Sequence, residues 1–146
     1  MSFFDALQTS ASGLSAQRMR MNLISSNLAN ANTTRTAEGG PYKRKDAVFA
    51  TNPQRSSAFG DALATQLDAQ RVEVQVTAIR EDPRPPIQKF DPGHPDADAE
   101  GMVLMPNINV VEEMVNMISA SRSYEANVTA LKASKEMAAN ALEIGR

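Results

Sequence analysis

The sequence has no cysteine and no tryptophan. Missing thiols exclude disulfides, thiolate metal sites, cysteine nucleophiles and lipidation on cysteine, although they leave the redox compartment open. Aromatic residues make up 5% of 146, so large ring anchors are scarce and a thick globular core is not expected. There is a single histidine, His94, and any Ser/His/Asp triad or histidine-based acid/base pair would have to use it. No charge of one sign dominates. Fifteen Lys and Arg stand against seventeen Asp and Glu, a net charge of −2, which argues against a phosphate-binding surface spread over the chain. Nowhere do eighteen apolar residues run together, so no membrane-spanning helix is expected. The start, Met1-Ser2-Phe3-Phe4-Asp5-Ala6-Leu7-Gln8, lacks the basic and apolar regions of a Sec-type signal peptide.

Proline is absent from both ends. All eight prolines lie between Pro41 and Pro106, with five of the seven glycines in nearly the same window. This pattern predicts two long terminal helices around a non-helical insert. The expected division is a discontinuous helical domain, 1–34 with 107–146, carrying an inserted strand and loop region at 35–106.

Leu7, Leu14, Met21 and Leu28 recur every seven residues, with Phe4 and Ala11 between them. Arg18 and Ser25 weaken the same line. Asn27, Asn30, Asn32, Thr33 and Thr34 compete for backbone hydrogen bonds and should stop this helix near residue 30. At the other end Val110, Met114, Met117, Ser121, Tyr124, Val128, Leu131, Lys135, Ala138 and Leu142 keep a 4-3 spacing. They form a heptad seam of about four and a half repeats, interrupted by Ser121 and Lys135. Pro106 with Asn107 or Asn109 marks its start and Gly145 its end. Val111, Val115 and Ile118 form a second apolar strip beside it. The fold class is therefore mainly α, with two long terminal helices around a small strand and loop insert.

In the middle, 42–50 and 71–80 read as strands. The second is the clearer, with Val72, Val74 and Val76 alternating with polar residues. Residues 51–70 read as mobile or weakly helical, and 81–101 as extended loop.

Only one stretch resembles a site. Asp96, Asp98, Glu100 and Gly101 match positions 1, 3, 5 and 6 of a calcium loop, but Asn107 stands where a bidentate glutamate is required. The expectation is a rigid acidic turn in which His94 bonds locally and the acids face the start of the last helix. No catalytic, metal or cofactor site is expected. The basic run Lys43-Arg44-Lys45 reads as a strand edge rather than a nucleic-acid site. Two long narrow seams cannot both be buried by one hairpin, so the protein is expected to bind partners through them. Its seam residues Leu7, Leu14, Met21, Leu28, Val110, Met114, Met117, Tyr124, Val128, Leu131 and Leu142 are the candidate interface. A cytoplasmic coiled-coil adaptor or export chaperone is the alternative reading.

Three stretches resemble a known family. Ser25 to Thr33, containing Asn27, Leu28, Ala29 and Asn30, followed by Tyr42, Lys43 and Arg44, is similar to the signature of bacterial flagellar basal-body rod proteins. Asp91 to Ala97, leading to Gly101 and to Pro106 through Val110, carries a second part. Val111 to Val128, with Ser121, Arg122, Tyr124, Glu125 and Asn127, carries the third. The insert from Arg35 to Gly40, where many relatives have a Thr-Pro-Gly-Tyr turn, fits the C type of the proximal rod. The resemblance implies a non-enzymatic subunit whose terminal helices pair as a coiled coil, passed through the flagellar type III export channel without a cleaved signal. It implies a place in the periplasmic rod, near the inner-membrane ring and export gate. There it would assemble with copies of itself and other rod proteins, as part of the shaft that carries torque to hook and filament.

Overall fold

The computed structural model describes residues 3–53 and 72–144. Six elements follow in order: α1 (Phe3–Ala29), β1 (Lys45–Pro53), β2 (Val72–Glu81), β3 (Ile87–Phe90), β4 (Met102–Met105) and α2 (Val110–Ile144). β1 pairs with β2, and β3 with β4, as two separate two-stranded sheets. The protein is thus mainly helical with a small strand insert, in line with the placement of its prolines.

The helix ends have local causes. α1 ends where the Asn30 amide nitrogens reach back to one carbonyl: the backbone N–H donates to Ser26 O at 3.1 Å and the side-chain Nδ2 at 2.9 Å. This is the side-chain competition that asparagine brings to a helix terminus. α2 begins at an asparagine cap. Asn109 Oδ1 accepts from the Val111 N–H at 3.0 Å and the Glu112 N–H at 3.4 Å. Gly145, the expected stop of α2, lies outside the described residues.

The insert differs from expectation in two places. The first strand begins at Lys45 rather than Tyr42, because the Tyr42 N–H is taken by Thr33 O at 3.1 Å. The stretch 81–101, expected to be loop, contains β3, and β4 follows at once as its antiparallel partner. The register is Ile87 with Met105, Gln88 with Leu104, Lys89 with Val103 and Phe90 with Met102. Four residues between Pro86 and Asp91 are too few to show a period, while the intervening turn closes the hairpin. Asp91 N–H donates to Gly101 O at 2.9 Å, and Gly101 has a φ of +77°. A Cβ at Gly101 would also stand 3.0 Å from the Phe90 ring, so both backbone and space select glycine there. Of 51–70, the first three residues extend β1 and the remainder lies outside the described residues.

The chain divides into two compact units. One comprises 1–19, 49–77 and 120–146, the other 20–48 and 78–119. In the first, Ala16 and Ala120 are the buried apolar residues among those described. A Cβ at Gly13 would lie 3.2 Å from Asn127 Nδ2, so the helices approach closely at that point. The Ser12 hydroxyl accepts the Val74 N–H at 3.2 Å, and Gln8 Nε2 donates to Glu73, which ties β2 to α1. In the second unit the buried apolar residues are Ile24, Ala31 and Val103, joined by Asn27 and Glu113. Small and polar side chains fill positions that rings would occupy in a thicker core.

At the start of α2 the burial falls out of step with the 4-3 spacing. Val110 and Met114 are exposed, at 43% and 52%, and Glu113 at 1% is the residue that turns inward. Farther along, Met117, Tyr124, Val128 and Leu131 are half-buried, while Leu142 is exposed. Val111, Val115 and Ile118 all lie in solvent. On α1, Leu7, Leu14, Met21 and Leu28 are half-buried, and the deepest positions are Ala16, Ile24 and Asn27.

Candidate functional site

A dense polar cluster sits where α1 ends. Asn27 is fully buried and uses its amide completely. Its Nδ2 donates to Lys45 O and to Glu113 Oε2, both at 2.9 Å. Its Oδ1 accepts from the Lys45 N–H at 2.9 Å and from the Tyr42 hydroxyl at 3.2 Å. A primary amide has two donors and two acceptor lone pairs, so every position is filled.

Glu113 is bound from two further sides. Arg44 Nε donates to its Oε1 at 2.9 Å, and Asn116 Nδ2 stands 3.5 Å from the same oxygen. Burial works against the charge of Arg44, but the hydrogen bond and charge of Glu113, joined by Asp46 at 3.3 Å, hold the guanidinium above its usual range. The ion pair is short, oriented and hydrogen-bonded, which a buried charge requires. Around it, Lys43 and Lys45 reach the two carboxylate oxygens of Glu81 at 3.8 Å each.

The loop after α1 is stitched by the same motif. The Thr33 hydroxyl donates to Asn30 Oδ1 at 3.2 Å, while Ser26 and Tyr42 share a hydroxyl contact of 3.3 Å. Ser26, Asn27, Asn30, Thr33, Tyr42 and Arg44 therefore form one clip, which brings the candidate residues Asn27, Asn30, Tyr42 and Arg44 together. It does not gather the others. Leu28 is half-buried beside the clip, Ala29 is exposed, and Arg122 and Glu125 face solvent on α2. Ser121 and Tyr124 are half-buried, and Asn127 faces Gly13. Glu113, the acceptor at the centre of the clip, is not among the candidate residues of the sequence. The signal that marks it is an acid flanked closely by Val111, Met114 and Val115.

The acidic turn spends its polar groups on itself. Asp96 N–H donates to His94 Nδ1 at 3.1 Å, and Asp98 Oδ1 accepts the N–H groups of Glu100 and Met102 at 2.9 and 2.8 Å. Asp96 Oδ2 accepts the Thr34 hydroxyl at 2.8 Å. The acids were expected to face the start of α2, whose amides Asn109 caps instead. A cleft of about 230 Å³ beside Gly39-Gly40-Pro41 is bordered by Lys43, Arg44 and Arg84, each already held by a carboxylate. These arrangements hold a backbone in shape.

Residues 7–35 match the family model described as flagella basal body rod protein, and residues 99–144 match the one described as flagellar basal body rod FlgEFG protein C-terminal. The chain is 44% identical to the flagellar basal-body rod protein FlgC of Borreliella burgdorferi, covering 99% of this chain and 98% of the relative. It is 43% identical to FlgC of Bacillus subtilis and 39% identical to FlgC of an Escherichia coli strain, with 100% of both chains covered in each case. The chain belongs to the FlgC family. It is a structural rod subunit of the flagellar basal body. The two FlgC segments matched by the family models each supply one side of the clip, Asn27 from the first and Glu113 from the second. Tyr42 and Arg44, between them, complete it.

Proposed function

We propose that this FlgC-family chain works in the proximal rod, as part of the shaft that carries motor torque outward. It arrives through the flagellar type III export channel and takes its place in the periplasm, next to the inner-membrane ring and export gate. The terminal segments, 1–34 and 107–146, act as one helical domain whose helices pair as a coiled coil, with 35–106 as the inserted region. The partners are further copies of the chain and other rod proteins. Subunit contacts run along the seams, through Leu7, Leu14, Met21 and Leu28 on one helix and Val110, Met114, Met117, Tyr124, Val128, Leu131 and Leu142 on the other. The chain performs no catalysis.

The observation that carries this reading is the apolar strip at the start of α2. Val111, Val115 and Ile118 are exposed at 70%, 59% and 54%, with Val110 and Met114 beside them. A continuous apolar strip on a helix surface is a surface for a partner. Family membership removes the cytoplasmic adaptor as a rival. The test is Val115→Asp, a change at a solvent-facing position that leaves the intramolecular contacts intact. The variant is expected to be exported at normal levels yet to yield no complete basal bodies and no swimming. Normal swimming would remove the strip from the assembly surface.

A further inference from the structure

The first turns of α2 offer two inward faces, and the protein uses the less apolar one. Val110, Met114 and Met117 stand at 4-3 spacing and would make an ordinary hydrophobic face. The residue that points inward is Glu113, at 1% exposure, while Val110 and Met114 remain 43% and 52% exposed. The two settings differ by roughly 60° about the helix axis at 3.6 residues per turn. Burial of apolar surface alone favours the first, since the observed setting places a carboxylate where two large side chains could go.

The partners of Glu113 reverse that preference. Its two oxygens accept from Asn27 Nδ2 and Arg44 Nε, both at 2.9 Å. Asn27 cannot follow a turning helix, because the N–H and carbonyl of Lys45 and the Tyr42 hydroxyl hold its other positions. Turning α2 would withdraw the carboxylate and leave one Asn27 N–H without an acceptor in a fully buried place. Buried polar groups that fix register at the expense of apolar packing are the best-attested use of such pairs. We propose that the Asn27–Glu113–Arg44 cluster is a rotational lock. It holds the start of α2 in the setting that keeps Met114 outward beside Val111 and Val115, against a rival setting in which Val110 and Met114 turn inward.

The lock acts within one chain, so its test needs no assembly. The native sequence has no cysteine, and Met114→Cys therefore introduces a single thiol. Maleimide labelling of that thiol is followed in the full-length chain, in a Glu112→Ala variant that leaves the cluster whole, and in a Glu113→Ala/Arg44→Ala variant. Circular dichroism monitors helix content in each. The first two are expected to label at rates within twofold of each other. The lock-free variant is expected to label at least tenfold more slowly with its helix signal retained, while a Val115→Cys control stays fast in all three backgrounds. Equal rates at position 114 with equal helix content would overturn the proposal. Loss of the helix signal in the lock-free variant would overturn it as well, because the cluster would then be needed for folding rather than for choosing a setting.

Discussion

Among the described residues Arg44 is the one cation that meets the buried Glu113 carboxylate, and its side chain is 17% exposed. Removing one partner of such a pair leaves an uncompensated buried charge. Arg44→Ala is therefore expected to destabilise the fold by about 3–5 kcal/mol, read as a shift in urea midpoint. Adding Glu113→Ala should recover part of that loss, since the stranded charge disappears with it. Asp82 shows the same chemistry at the surface. Arg84 donates to its Oδ1 at 3.0 Å and to its Oδ2 at 2.8 Å through Nε, and its backbone N–H adds a bond of 2.9 Å. These bonds hold the Asp82 carboxyl down to about 2. A lowered carboxyl pKa supports the fold at every pH above the unfolded value, near 3.8, and that support fades as the pH falls toward 2. A carboxyl NMR titration should find the Asp82 midpoint near 2, and Arg84→Ala should return it to the ordinary range.

At the scale of elements, the cap of α2 invites a direct measurement. Asn109→Ala removes the acceptor for two amides and should cost about 1 kcal/mol, with fraying confined to residues 110–113 in amide exchange. The helices were the legible part of this fold. Forty proline-free residues at either end and a break at Asn30 are local signals, and each helix ends or begins near where its own residues dictate. The β3–β4 hairpin was not legible, because its four-residue strands are too short to display alternation and its turn dominates the composition around it. The centre of the clip was half legible. Asn27, Tyr42 and Arg44 stand in a recognisable motif, whereas Glu113 is indistinguishable by composition from an acid placed to suit a helix N-terminus. Val110 and Met114 keep the spacing of the seam yet face outward beside the inward Glu113. Periodicity reports which residues could share a face, and only the polar partners on another element decide whether that face turns in.

At the scale of the whole molecule, the scarcity of buried apolar residues among those described is the common theme. The buried apolar residues among those described are three alanines, one isoleucine and one valine, with no aromatic ring. Hydrogen-bonded polar groups supply the specificity that ring packing supplies elsewhere, while large apolar side chains such as Val111, Val115 and Leu142 are left outside. A rod subunit gains from this division, because surface kept out of its own interior is available to its neighbours.

The hydrogen bond between Asn27 and Glu113 spans 86 positions of sequence. Any process that delivers the chain N-terminus first, whether synthesis or passage through a channel, presents α1 long before the acceptor that completes its buried amide. Until residue 113 arrives, Asn27 has water where it later has a carboxylate, and the 42–45 segment lacks the ion pair that anchors Arg44. The clip thus times closure by length, since contacts of large sequence separation form only after the intervening chain is available. Truncation after Asn109 should reproduce the waiting state. Amide protection at Lys45 is expected to fall to that of an open strand in the truncated chain and to return when a peptide of residues 107–146 is added.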